Sequence, residues 1–176
     1  MDFYRQLCDW ITASAPEQTI SGKSFLLRAG ETEKKLYFIR EGAVQVVYSP
    51  GDHTHVIRLA YSGSIVNALP SFLTGEPSAF SLQTIRKTVL HAVSAAALKN
   101  DFLSTPEGAD GYRQLLENLV VQQQERELDL LCADPAERYR RVLTRSPQLF
   151  REIPLRYIAA YLRMTPETLS RIRANY

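Results

Sequence analysis

The sequence of 176 residues has only two cysteines and no long hydrophobic run. Cys8 and Cys132 are far apart and outside metal-ligand spacing, which excludes a disulfide scaffold, a zinc ribbon and a four-cysteine iron–sulfur cluster. No stretch approaches the roughly 20 apolar residues of a membrane span. The segment Met1–Tyr4 lacks the basic and apolar regions that begin a signal peptide. We therefore expect a cytoplasmic protein of a reducing compartment, with no membrane partner.

Glycine is absent after Gly111 and punctuates only the earlier part of the chain. Between the glycines lie short runs rich in β-branched and aromatic residues, at Ser24–Leu27, Leu36–Ile39, Ala43–Tyr48, His55–Tyr61 and Ser81–Val93. Short strands with a turn roughly every 8–12 residues are typical of an antiparallel sandwich or barrel. We predict an antiparallel β domain over residues 1–106, with a short leading helix at Asp2–Ala13.

After Pro106 the sequence pattern becomes helical. Residues 107–133 carry an apolar stripe near the 3.5-residue period of a coiled-coil seam, with a polar middle. The stripe predicts a connecting helix that pairs with a second copy of the chain. The predicted contact residues are Leu116, Leu119, Val120, Gln123 and Leu130. A monomeric surface helix is the alternative interpretation.

The charge is unevenly distributed along the chain. Residues 135–176 hold nine arginines against three glutamates, a net charge of +6. Residues 1–134 hold 12 basic and 16 acidic residues, a net charge of −4. A compact basic segment on an acidic body is typical of a nucleic-acid-binding domain, although a solvated pair of arginine-rich helices has the same composition.

The segment Ile153–Ile172 has the pattern of a helix-turn-helix. Ala159 supplies a small residue where the two helices cross, Thr165 can cap the second helix, and Pro166 suits its first position. The turn carries Arg163 where glycine is usual, and a left-handed backbone there costs roughly 1 kcal/mol. The predicted shared core is Ile158, Leu162, Met164, Leu169 and Ile172. We predict a helix-turn-helix domain over residues 134–176.

The chain resembles the Crp/Fnr superfamily of bacterial transcription regulators. Four stretches carry the resemblance, in the order Leu27–Glu31, Leu36–Gly42, Ser62–Val66 and Ile153–Ile172. It implies an α+β fold with an N-terminal antiparallel β-roll (a double-stranded β-helix) that is similar to a cyclic nucleotide-binding domain, followed by a long dimerisation helix and a small C-terminal helix-turn-helix domain. It also implies a homodimer on double-stranded DNA, an effector in the β-roll that repositions the reading heads, and RNA polymerase as a further candidate partner.

The sequence leaves little room for the β-hairpin wing of that family. The stretch Ser146–Glu152 is short for a β-hairpin and Tyr176 follows the second helix closely, so we expect little or no wing.

Nucleotide-binding members have Gly-Glu-Leu and Arg-Ser-Ala elements, which contact the ribose and the cyclic phosphate. Here these elements correspond to Asn67-Ala68-Leu69 and Pro77-Ser78-Ala79. Losing two charge-assisted interactions worth about 1.5–3 kcal/mol each makes the usual binding of cyclic AMP unfavourable. We expect no cofactor. The pocket either takes another small molecule, contacted by Asn67, Ser78 and Gln123, or is filled by side chains.

The resemblance also implies DNA-reading roles on the second helix. We expect Glu167 to accept from a cytosine amino group and Arg171 to bind guanine with two hydrogen bonds. Pro166 cannot donate, so we expect a different half-site from the best-known one. Arg156, Arg163 and Arg173 are predicted phosphate clamps. The whole predicted DNA-binding set is Arg156, Arg163, Thr165, Pro166, Glu167, Thr168, Ser170, Arg171 and Arg173.

Two other function classes fit parts of the sequence. His53-Thr54-His55 resembles the paired histidines of cupin-type metalloenzymes, but the glutamate that should follow is missing and His91 lacks the surrounding motif. A protein–protein interaction module with a degenerate head is the third interpretation, motivated by the short wing segment and by Pro166. We expect no metal site and no catalytic residue.

Overall fold

The computed structural model describes residues 3–175, so Asp2 of the predicted leading helix lies outside the described residues, as do Met1 and Tyr176. The strands are β1 (Gln18–Ile20), β2 (Phe25–Leu27), β3 (Lys35–Glu41), β4 (Ala43–Tyr48), β5 (His55–Tyr61), β6 (Ile65–Val66), β7 (Phe80–Thr84) and β8 (Thr88–Ser94). The helices are α1 (Phe3–Ser14), α2 (Leu69–Thr74), α3 (Ala95–Ala97), α4 (Pro106–Leu131), α5 (Pro135–Arg145), α6 (Leu149–Glu152), α7 (Leu155–Tyr161) and α8 (Pro166–Ala174), and a π-helical turn at Leu98–Phe102 follows α3.

Two antiparallel four-stranded sheets form the β domain. Their strand orders are β1-β8-β3-β6 and β2-β7-β4-β5. Their facing sides enclose an apolar core in which Ile39, Val44 and Leu82 have no exposed surface. The predicted strands Ala43–Tyr48 and His55–Tyr61 are confirmed at both ends. They were predictable because proline and glycine in the Ser49–Asp52 turn separate two runs rich in β-branched residues.

The prediction of a single β run at Ser81–Val93 is wrong. The chain reverses at residues 85–87, and β7 and β8 belong to different sheets. At the break, the Thr84 hydroxyl donates to the Ser21 carbonyl oxygen at 2.7 Å, and Arg86 donates to the Glu152 carbonyl oxygen at 2.8 Å. These partners lie more than 60 residues away, so the local pattern contained no signal for the turn.

The C-terminal head, which we define as α5–α8, packs on the outer face of the second sheet. Val44 and Val46 of β4 point into the β domain, whereas Ala43 and Val47 face the head. We call the shared contact the interdomain cluster. It contains Ala43, Val47, Val56, Leu59 and Ile85 from the β domain and Tyr139, Val142, Leu149, Ile153, Ile158, Ala159, Leu162 and Leu169 from the head. One apolar core therefore crosses the predicted domain boundaries.

The long helix α4 begins with a cap and packs on α1. Thr105 accepts from the Gly108 amide at 3.1 Å, and Pro106 starts the helix. The ring of Phe3 fills the space beside Gly111. Within residues 3–175, none of the helices combines the length and the apolar character needed to cross a bilayer.

Gly42, which joins β3 to β4, generates the first prediction. Its φ is +107°, and a Cβ atom there would lie 2.6 Å from the Thr88 Cα and Oγ1 atoms. We expect Gly42→Ala to lower the free energy of unfolding by about 2–4 kcal/mol, because it combines backbone strain with overpacking. Gly51→Ala is the matched control: its φ is also positive but nothing lies within 4 Å, so we expect about 1 kcal/mol. Equal losses in urea unfolding would contradict this assignment.

Candidate nucleic-acid interface

Helices α7 and α8 lie in the segment predicted as a helix-turn-helix and are joined by a short turn. The Thr165 hydroxyl accepts from the Thr168 amide at 3.2 Å, and Pro166 occupies the first helical position. Arg163 in the turn has a φ of 56°, so the predicted left-handed residue is present. The Met164 amide donates to the Ala159 carbonyl oxygen at 3.0 Å and closes the turn. The predicted Thr165 cap and the left-handed backbone at Arg163 are confirmed.

The core beneath these two helices also follows the prediction. Ile158, Leu162 and Leu169 have no exposed surface, and Met164 and Ile172 are half-buried against them. Tyr139 and Val142 of α5 support the pair from below. This packing holds α8 by one side only.

The opposite side of α8 is exposed. Pro166, Glu167, Ser170 and Arg171 are all exposed and line a shallow depression. The backbone amide of Glu167 and the Thr165 hydroxyl lower the pKa of the Glu167 carboxyl, and Arg171 adds a smaller effect of the same sign. The ionised Glu167 carboxylate, a hydrogen-bond acceptor, therefore lies one helical turn from the Arg171 guanidinium, which has five N–H donors.

The other predicted DNA-binding residues have different surroundings. Arg173 is exposed on α8, and Thr168 is half-buried. The Arg156 guanidinium lies 4.8 Å from the centre of the Tyr157 ring and donates to its hydroxyl at 3.1 Å. Arg163 donates to His55 Nδ1 at 2.6 Å, so this structure joins the predicted phosphate clamp to the start of β5.

Two arginines that the sequence analysis missed hold the C-terminal end of α7. Arg138 of α5 donates to the Leu162 carbonyl oxygen at 2.6 Å and to the Cys132 carbonyl oxygen at 2.7 Å. Arg126 of α4 donates to the Tyr161 carbonyl oxygen. Cations at a helix C-terminus satisfy carbonyl groups that have no partner within the helix. Because Arg126 lies 35 residues from Tyr161 and Arg138 lies 24 residues from Leu162, no local signal predicted the contacts with the end of α7.

Acidic residues of α4 neutralise part of the basic segment. Asp129 has no exposed surface; it accepts from Arg141 Nε at 3.0 Å and from Arg145. Glu125 accepts from Arg141 Nη2 at 3.0 Å. The net charge of residues 135–176 therefore overstates the positive charge available to a ligand.

The three residues suggested for an effector pocket are differently placed. Gln123 is exposed on α4, whereas Ser78 is buried and its hydroxyl accepts from the Phe80 amide at 3.0 Å and donates to the Phe80 carbonyl oxygen. Asn67 is half-buried, and its side-chain nitrogen has no hydrogen-bond partner. In the part of the chain that the structure describes, no hydrogen bond joins these residues to one another.

A buried carboxylate, missed by the sequence analysis, lies next to this region. Glu33 is 3% exposed and accepts from the Lys35 amide at 2.9 Å and the Ala68 amide at 3.4 Å. Its own amide donates to the Ser71 hydroxyl at 2.9 Å. Burial raises the pKa of Glu33, and the backbone amides oppose the shift. The Glu33 carboxylate thus occupies the amide of Ala68, the residue just before α2.

The residues considered for a metal site are dispersed. His91 is buried on β8 with Nδ1 2.8 Å from the Ala15 carbonyl oxygen, and His55 contacts Arg163. Among residues 3–175, no group of three or more histidine, cysteine, aspartate or glutamate side chains is placed to hold a metal ion.

Asp129 generates a second prediction. Asp129→Asn removes the buried charge that Arg141 and Arg145 share, so we expect the free energy of unfolding to fall by about 2–3 kcal/mol. The expected loss is smaller than for a fully buried ion pair, because the side chains of Arg141 and Arg145 are partly exposed. Asp110→Asn is the control, since its ion pair with Arg113 is exposed, and we expect no measurable change. Equal stability of the two variants in urea unfolding would contradict the role of Asp129.

Comparisons with known proteins agree with this architecture. Residues 17–103 match the family model of the cyclic nucleotide-binding domain. FixK2 from Bradyrhizobium japonicum is 18% identical with a TM-score of 0.76, and the match covers 92% of this chain and 83% of that one. A CRP-family transcriptional regulator from Thermus thermophilus is 18% identical with a TM-score of 0.63, and the match covers 90% of this chain and 83% of that one.

A CooA variant from Carboxydothermus hydrogenoformans is 16% identical with a TM-score of 0.69, and the match covers 93% of this chain and 76% of that one. No curated protein matches the sequence. At these identities the solved structures show the fold. Residues 17–103 are therefore similar to the cyclic nucleotide-binding domain family, and the chain has the fold of solved Crp/Fnr regulators.

Proposed function

We propose that this protein is a DNA-binding transcription regulator of the Crp/Fnr type that acts in the cytoplasm as a homodimer. The observation that carries the proposal is the exposed polar face of α8, formed by Pro166, Glu167, Ser170 and Arg171. A helix held by one face leaves the other free to enter a major groove. Glu167 and Arg171 then have the acceptor and donor that distinguish cytosine from guanine.

An uncovered apolar stripe on α4 supports the homodimer. Leu131 is 80% exposed, Val121 61% and Leu128 52%. Val121, Gln124, Leu128 and Leu131 follow the 3-4-3 spacing of a coiled-coil seam. We call these four residues the α4 seam. A second copy of the chain, related by a two-fold axis, would cover it.

The α4 seam is rotated from the contact line that the sequence predicted. Leu116 and Leu119 are half-buried, and Gln123 is exposed. Val120 and Leu130 remain exposed beside the seam. The α4 side chains that pack against α1 and the β domain are those of Tyr112 and Leu115.

The surroundings of Glu33 support a β-roll that does not bind cyclic AMP in the usual way. A carboxylate already accepts from the Ala68 amide, and the Ser78 hydroxyl is used by Phe80. An incoming phosphate would meet the Glu33 carboxylate where a phosphate site needs positive charge.

The DNA proposal predicts different effects for two exposed arginines of the head. In anisotropy titrations on duplexes selected from a random library, Arg171→Ala should lower affinity for the preferred half-site by about 1–3 kcal/mol and relax base preference at one position. Arg156→Ala should weaken binding to all duplexes alike, as a phosphate contact does. The control is Arg113→Ala, which should leave the affinity for every duplex unchanged. Arg113 is an exposed arginine of α4 that is paired with Asp110 and Glu117.

Two results would count against this proposal. If the wild-type protein bound no duplex at about 50 mM salt, where phosphate contacts are strongest, DNA binding would be abandoned in favour of a protein-interaction module. If Arg171→Ala and Arg156→Ala weakened every sequence equally, the reading role of Arg171 would be wrong.

The homodimer proposal has a matched pair of variants. Leu128→Glu places a charge in the α4 seam and should convert the dimer to a monomer in sedimentation velocity, because an unpaired charge in an apolar interface is strongly unfavourable. Leu73→Glu on α2 is the control, since Leu73 is 54% exposed, close to the 52% of Leu128. A Leu128→Glu protein that sedimented like the wild type would contradict this interface.

A further inference from the structure

Arg126 joins α4 to the end of α7 by two directional contacts. Its guanidinium carbon lies 3.6 Å from the centre of the Tyr161 ring, and its Nη2 donates to the Tyr161 carbonyl oxygen. Stacking on a ring fixes a separation and a plane, and the hydrogen bond fixes a position along the helix. Together the two contacts determine where the end of α7 lies against α4.

The burial of Arg126 is unfavourable for stability alone. The residue is 6% exposed, and its Nη1 atom has no hydrogen-bond partner. Burial lowers the pKa of Arg126, which shows that its charged form is disfavoured there. An apolar side chain of similar length would fill the space at a lower desolvation cost. The guanidinium provides directional contacts that such a side chain lacks.

We infer that Arg126 is a positioning residue that sets the separation between the two reading helices of the dimer and thereby the half-site spacing that the protein selects. The inference rests on the proposed function. Arg126 lies on the side of α4 opposite the α4 seam. It is two positions from Gln124 and two from Leu128, and two positions are about half a turn in a helix of 3.6 residues per turn. Each head is therefore held at a distance from the two-fold axis that this contact determines.

A change in one side-chain contact can move the head far enough to change the preferred half-site spacing. Successive base pairs are about 3.4 Å apart, so moving each head by about half that distance changes the matched spacing by one base pair. The position of Tyr161 determines the position of α8, because the turn between them is held by two contacts. Arg138 donates to the Leu162 carbonyl oxygen, and Thr165 caps α8. A shift at Tyr161 therefore moves the reading face as a unit.

Other contacts keep the head attached when Arg126 is changed. The interdomain cluster binds the head to β4 and β5, and Asp129 binds α5 through Arg141 and Arg145. Arg163 also contacts His55. Arg126→Met, which keeps the length of the side chain without its charge, should therefore fold and dimerise and should alter only where α7 ends.

The test measures half-site spacing. The probes are duplexes that carry two inverted copies of the selected half-site, with spacers lengthened one base pair at a time, and one duplex with a single half-site. We expect the wild-type protein to favour one spacer at least tenfold. Arg126→Met should bind the single half-site as the wild type does, yet its spacing preference should fall below threefold or move by one base pair. Arg113→Met, on the same helix and exposed, should keep the wild-type profile.

Tyr161 provides an independent pair of variants. Tyr161→Leu removes the stacking surface from the other side and should broaden the spacing profile as Arg126→Met does. Tyr161→Phe keeps the ring and the carbonyl group, so it should keep the wild-type profile. Sedimentation of each variant reports whether it still dimerises, and thermal unfolding reports whether it still folds.

The outcomes separate this inference from the proposed function. An unchanged spacing profile in Arg126→Met and Tyr161→Leu overturns the inference while DNA binding stands. Loss of folding, of the dimer or of single half-site binding in both variants also overturns it, because the contact would then be structural. Failure of the wild-type protein to bind any duplex refutes the proposed function itself.

Discussion

The interdomain cluster is the contact on which the position of the C-terminal head depends. Helices α6, α7 and α8 are short, and isolated helices of this length are marginal in water. They bury Ile158, Leu162 and Leu169 completely only because α5 and the outer face of the second sheet complete the core. The second sheet therefore does more than enclose the β domain, since β4 and β5 have apolar side chains on both faces.

Arginines in the head and on α4 have two physically different uses. Some bond to the chain itself: Arg126 and Arg138 cap the end of α7, and Arg141 shares the buried carboxylate of Asp129. Others, such as Arg171, are exposed. Composition alone counts both kinds equally, whereas only the exposed ones add positive potential at a surface. Arg138 also offsets the cost of a turn with Arg163 in place of glycine, because it donates to the carbonyl oxygens of Leu162 and, at 3.4 Å, of Arg163 itself.

Local features of the fold were predictable from the sequence, and contacts between distant segments were not. The ends of β4 and β5, the Thr165 cap and the left-handed Arg163 depend on neighbouring residues and were predicted. The break between β7 and β8, the arginine caps and the burial of Glu33 depend on partners far along the chain. On α4 the apolar period was recognisable, but which of its apolar side chains face the β domain depends on α1, whose Phe3 packs beside Gly111.

The same arrangement constrains how a conformational change elsewhere in the fold could reach α7 and α8. The head is tied to the β domain by the interdomain cluster and to α4 by Arg126 and Asp129, so it cannot follow one without straining its contact with the other. Packed cores respond to such strain by switching between discrete arrangements rather than by deforming gradually. A change inside the β domain would have to act through β4 and β5, which line both cores. In the proposed homodimer, a change in the pairing of the two α4 helices would act through Arg126, on the face opposite the seam. Both routes end at the turn around Leu162 and Arg163, where side chains from α5 and β5 also meet.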